Sequence, residues 1–212
     1  MALCTALAGW APLARAQATT NPNLNAQLLV GARQGDLLQV ERVLAQGAAA
    51  DSRNRLGKTA LLIAAEQGNL ALAERLLRAG ADVNLASLER VTPLMAASYA
   101  GHAAVAKRLL AAGARTEPLD RMNKPAIVYA AGQGHAEVLE LLLGAGVDVD
   151  APYDHRLTAL MWAAGQGHAA AVGVLLARGA RADLRDDRGL TAADIARQTK
   201  HAEVLALLPA AP

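Results

Sequence analysis

Short apolar runs and polar stretches alternate along most of the chain with a fixed spacing of 33 residues. The run Ala60-Leu61-Leu62-Ile63-Ala64-Ala65 lies between Thr59 and Gly68, and its counterpart Pro93-Leu94-Met95-Ala96-Ala97 between Thr92 and Gly101. The pattern returns from Asn123, from Arg156 and, altered, from Gly189; an earlier copy runs from Leu24. Thr59, Thr92, Thr158 and Thr191 hold the register, with Pro125 in the fourth copy. Gly35, Gly68, Gly101, Gly134 and Gly167 form one evenly spaced series, and Gly47, Gly80, Gly113, Gly146 and Gly179 a second. Each unit predicts two helices. A Thr hydroxyl caps the first, and a Gly able to adopt the left-handed conformation ends it. Apolar residues at i, i+3 and i+4 spacing then mark a second helix, as in Val138, Leu139, Leu141, Leu142 and Leu143. The second Gly closes that helix and a polar loop leads on.

Helix pairs this short cannot bury their apolar faces alone, whereas stacked copies share one continuous core. Ala at 64, 65, 96, 97, 130, 131, 163 and 164 lets neighbouring helices approach closely. The expected fold is all-α: a solenoid of about six stacked helix-turn-helix units joined by hairpin-like loops. The units fall at 24–56, 57–89, 90–122, 123–155, 156–188 and 189–212, within a single domain from residue 19 to 212. The first unit lacks the Thr and is expected to form the N-terminal cap.

Composition agrees with this picture. The chain has 212 residues, is 53% hydrophobic, and contains no Phe and only 2% aromatic residues. That apolar fraction excludes intrinsic disorder, and the aromatic shortage suits a core of small side chains packed repeat on repeat. Lys and Arg total 21 against 19 for Asp and Glu. The charges are interspersed, as in Arg181, Asp183, Arg185, Asp186 and Asp187, so no basic face for nucleic acid is expected. Cys4 is the one cysteine, which rules out an internal disulfide or a CxxC metal or redox site.

The N-terminus reads as an address. Its apolar stretch from Ala2 to Leu13 is too short to span a bilayer. Two small-x-small sites follow, Ala14-Arg15-Ala16 and Ala16-Gln17-Ala18, which is the pattern of a secretory signal peptide over 1–18. No Lys or Arg precedes the apolar run. The mature chain is expected to begin near Gln17 or Thr19 and to work in the periplasm or outside the cell.

Thr92-Pro93-Leu94, the Ala-Ala pairs, the Gly-His pairs and Ala79-Gly80-Ala81-Asp82-Val83-Asn84 together resemble the ankyrin repeat. The resemblance covers residues 24 to 212. One departure is systematic: the family's T-P-L-H motif never keeps its His, whose place holds Leu62, Met95, Val128, Met161 or Asp194. The last unit, Thr191-Ala192-Ala193-Asp194-Ile195-Ala196, resembles a C-terminal capping repeat, with Arg197, Gln198, Thr199 and Lys200 expected to face water.

His102, His135, His168 and His201 recur once per repeat. That places neighbours about 8–10 Å apart, the spacing of packed helices, too far to share a zinc ion. They are expected to bond loop backbone, and no metal or cofactor is expected. No G-x-S-x-G, H-E-x-x-H or P-loop is present, so no enzymatic activity is expected. The resemblance implies instead a concave groove, formed by first helices and loop tips, that binds a partner protein. Candidate contact residues are Tyr99, Tyr129, Trp162, Arg55, Lys58, Leu88, Met122, Lys124, His155 and Leu157. Tyr99 is three residues off the register shared by Tyr129 and Trp162, which keeps the three on one side of a helix and predicts an aromatic stripe. The expected role is that of a monomeric periplasmic accessory or protective factor for a protein partner; a secreted effector acting on host or rival-cell proteins is the alternative.

Overall fold

The computed structural model describes residues 21–209. The expected leader at 1–18 lies outside them. Among the described residues the helices form six consecutive pairs. These are α1 (Pro22–Gln34) with α2 (Leu37–Ala45), α3 (Ala60–Gln67) with α4 (Leu70–Arg78), and α5 (Pro93–Ala100) with α6 (Ala103–Ala111). They continue with α7 (Ala126–Gly132) and α8 (Ala136–Gly144), α9 (Ala159–Gln166) and α10 (Ala169–Ala177), and α11 (Ala192–Gln198) and α12 (Ala202–Leu207). Each first helix packs on the first helix of the next pair, and each second helix on the next second helix. The loops between pairs form hairpins with a single isolated bridge, Arg53 to Thr59, among the described residues.

Thr starts the first helices as the pattern predicts. The hydroxyls of Thr59, Thr92, Thr158 and Thr191 accept from the N–H three residues on, at 3.2–3.3 Å. Pro125 holds the same extended backbone without a side-chain cap. In two units the residue standing where the family motif has His completes a reciprocal cap. Met95 Sδ accepts from the Thr92 N–H at 3.5 Å, and Asp194 Oδ2 accepts from the Thr191 N–H at 3.1 Å. The first unit is capped by Asn21, which accepts from the Asn23 N–H.

The 33-residue register becomes rows of equivalent side chains across the stack. Leu76, Leu109, Leu142 and Leu175 form one fully buried row, and Ala64, Ala97, Ala130 and Ala163 another. Burying each Leu contributes roughly 2 kcal/mol, and the Ala row keeps adjacent first helices close enough to share those contacts. This is why the core needs no Phe. Arg197, Gln198, Thr199 and Lys200 are exposed at the C-terminal end.

The His series does not bond the loops. His102, His135, His168 and His201 occupy the N-cap of their second helices without capping them. Nε2 of His102, His135 and His168 instead meets the carbonyls of Glu66, Tyr99 and Gly132 at 3.0–3.2 Å. These belong to the last turn of the preceding first helix, where carbonyls lack intrahelical donors. Each of these three His therefore stitches its repeat to the one before. In the first two pairs the same position holds Asp36 and Asn69, which cap their own helices.

The hairpins are laced together as well. Asp51, Asn84 and Asp150 accept from the backbone N–H of Asp82, Arg115 and Arg181 on the next hairpin, at 2.8–2.9 Å. The N–H groups of Leu88, Arg121 and Asp187 donate to Leu56, Glu89 and His155. Neither link forms among the described residues between the third hairpin and the fourth. Glu117, one methylene longer, stands in the accepting row. Tyr153 stands where Asn54, Ser87, Asp120 and Asp186 each accept turn amides with a short side chain. That turn closes with two successive left-handed residues, His155 (φ 56°) and Arg156 (φ 57°).

Asp186 couples its hairpin to pH. Burial works to raise its pKa, but the N–H groups of Leu190 and Arg188 and the Arg188 guanidinium outweigh burial and hold it below the usual carboxylate range. A depressed folded-state pKa contributes stability above the unfolded value of about 4 and loses it as pH falls through and below that value. Asp186→Asn is therefore expected to flatten the acid limb of a melting-temperature profile below about pH 4. An unchanged acid limb would show that Asp186 carries no linkage.

Candidate functional site

Helices α3, α5, α7, α9 and α11 line one face with their hairpins above it. One row across this face reads Ile63, Ala96, Tyr129, Trp162 and Ile195; the next reads Glu66, Tyr99, Gly132, Gly165 and Gln198. Small residues beside large ones leave three adjoining cavities. The first, about 410 Å³, is floored by Met95 and Ala96 and walled by Tyr99 and Tyr129. The second, about 210 Å³, shares both Tyr residues with the first and is bounded by Lys124, Gly132 and Trp162. The third, also about 210 Å³, lies between Trp162, Leu157, Arg188 and Ile195.

Tyr99 is 54% exposed and meets Tyr129 edge to face, with centroids 5.6 Å apart and planes at 85°. Tyr129 is half-buried. Its hydroxyl donates to Oδ2 of Asp120, itself only 4% exposed. Burial, and then Asp120, push the phenol pKa well above its ordinary value. Asp120 Oδ1 meanwhile accepts from the N–H groups of Met122 (2.8 Å) and Lys124 (2.9 Å). One buried carboxylate thus fixes both the hairpin turn and the ring of Tyr129.

The stripe does not continue ring on ring. Lys124 Nζ lies 4.5 Å from the centroid of half-buried Trp162, so a cation rather than a second ring covers the indole. Gly132 faces Trp162, and a Cβ there would meet the ring at an ordinary contact distance of 3.8 Å. The indole N–H is buried without a hydrogen-bond partner among the described residues.

The remaining candidates divide between trough and tips. Leu157 is half-buried against Trp162 in the third cavity. Lys58 is bound to Glu66 at 2.6 Å. Arg55, Leu88 and Met122 are exposed at the hairpin tips, together with Leu56. His155 is exposed, 3.7 Å from both Asp154 and Asp187. Sequence reasoning passed over Met95, Ala96, Asp120 and Gly132, which shape the first two cavities. The 33-residue register carried the signal: Asp120 falls in the Asn54–Asp186 row, and Gly132 in the row of Glu66 and Tyr99.

The arrangement offers shape, aromatic surface and, in Lys124, a cation without an ion pair among the described residues. Among the described residues no three His, Cys, Asp or Glu side chains are grouped to hold a metal ion, and no helix is long and apolar enough to cross a membrane. A family model described as ankyrin repeats (3 copies) matches residues 28–120, 70–153 and 127–210. No curated protein matches the chain.

Proposed function

The chain belongs to the ankyrin-repeat family, whose domains serve as protein–protein interaction modules, and from that premise we propose that it is a non-catalytic module that holds a partner protein in the trough along its first helices. The observation that carries this reading is the run of adjoining cavities beneath an exposed Tyr99. Binding hot spots favour Tyr, Trp and Arg in sheltered positions surrounded by contacts that exclude water. Leu56, Leu88 and Met122 at the tips add apolar contact around the trough. We further propose that the chain works as a monomer in the periplasm, as an accessory or protective factor, after removal of 1–18.

Affinity capture from an extract of the source cells tests the binding surface. Wild-type protein is expected to retain a partner that a folded Tyr99→Ala/Met122→Ala variant loses. Equal retention would remove the groove from the account. Sequencing the N-terminus of the exported protein tests the address, with a start near Gln17 or Thr19 expected and an intact Met1 contradicting it.

A further inference from the structure

One cation in the trough lacks the counter-ion that its register predicts. Lys124 is the 33-residue counterpart, two units on, of Lys58, and Gly132 that of Glu66. Lys58 is neutralised by Glu66 at 2.6 Å. Lys124 finds Gly132 in the place of the carboxylate and rests on Trp162 instead, with no ion pair among the described residues. The neighbouring acids are committed elsewhere. Asp120, on the same hairpin, serves two turn amides and the Tyr129 hydroxyl, and Asp154, on the next, lies 3.7 Å from His155. Lys124 borders the second cavity, about 210 Å³, which shares Tyr99 and Tyr129 with the larger first one.

We propose that the trough accepts an acidic peptide segment of a partner protein, whose Asp or Glu side chain pairs with Lys124 where Gly132 leaves the carboxylate out, while a neighbouring apolar side chain fills the cavity between Tyr99 and Tyr129. This rests on the protein-binding reading above and adds the chemistry of the bound segment. Packed helices stand about 8–10 Å apart, a distance an extended chain covers in about three residues at roughly 3.3 Å each. The apolar side chain and the carboxylate therefore lie about three residues apart. A basic segment is refused, because it would bring like charge to Lys124.

The test is selection of displayed random-sequence peptides on the full-length protein, followed by affinity measurement on variants. Gly132→Glu restores the internal carboxylate at a helical position where an added Cβ makes only an ordinary 3.8 Å contact with Trp162, and Lys124→Gln removes the cation; circular dichroism melting confirms that each folds. Peptides selected by wild type are expected to be rich in Asp and Glu about three residues from a large apolar residue. They are expected to lose roughly tenfold or more in affinity on either variant. A neutral or basic pool, or acidic peptides that bind Gly132→Glu as well as wild type, would overturn the proposal. If the pool also fails to bind Tyr99→Ala, the groove reading survives that loss. Peptides held equally by Tyr99→Ala, or no selected peptides at all, would overturn the groove reading and the proposal together.

Discussion

Gly101→Ala is expected to lower the unfolding free energy by roughly 2–3 kcal/mol, from a left-handed backbone penalty of about 1–2 and a lost hydrogen bond of about 1. Gly101 sits at φ 75°, ending α5. A Cβ there would stand 2.5 Å from the His135 ring, which bonds the Tyr99 carbonyl across the repeat boundary. The substitution therefore strains one repeat and unstitches the next. Gly113 provides the comparison. It has φ 86° but open space around its Cβ, so Gly113→Ala is expected to cost only the backbone penalty of about 1–2 kcal/mol. Urea unfolding of both variants reads the difference. His135→Ala is expected to cost less in the Gly101→Ala background than in wild type, since the bond it removes is already lost there. Equal losses at Gly101 and Gly113 would show that the Gly-His contact contributes nothing.

Asp120→Ala is expected to cost roughly 3 kcal/mol or more, at about 1–3 for each of the three donors left without a partner. It strands the amides of Met122 and Lys124 and the Tyr129 hydroxyl together. Asp120→Asn keeps an oxygen for the turn amides, as Asn54 does in its own hairpin, and is expected to cost only about 1 kcal/mol. Tyr129→Phe removes the other half of the link at a similar cost of about 1 kcal/mol. The loss at Asp120 also reaches the trough, because the turn it holds carries Lys124 and anchors Tyr129. Calorimetric melting separates the three variants. An Asp120→Ala protein as stable as Asp120→Asn would contradict the network.

Much of this fold is written in a single period. The Thr caps, the left-handed Gly residues and the Leu and Ala rows are local or repeat at fixed intervals, so a linear reading finds them. The His residues show where that reading stops. Their spacing is plain, but the carbonyl each one meets lies one repeat back, and only the stacked geometry points the ring there rather than at its own loop. The missing links between the third and fourth hairpins were equally hidden. Glu117 and Tyr153 look like ordinary loop variation until their rows are compared across the stack. In the trough, the sequence singled out the large side chains Tyr99, Tyr129 and Trp162. The space around them comes from Ala96 and Gly132, whose contribution is the volume they leave empty. Lys124 was legible as a groove residue, but its place over Trp162 depends on Gly132 eight positions later.

The surface at which a partner sits is the centre of this account, and amide hydrogen exchange of the protein with its captured partner tests it most directly. Slowed exchange is predicted at the hairpin tips 55–58, 88–91, 121–124 and 154–157 and in the adjoining first turns of α5, α7 and α9, with α4, α6, α8 and α10 unchanged. Protection confined to those second helices, with the tips exchanging as in the free protein, would contradict it.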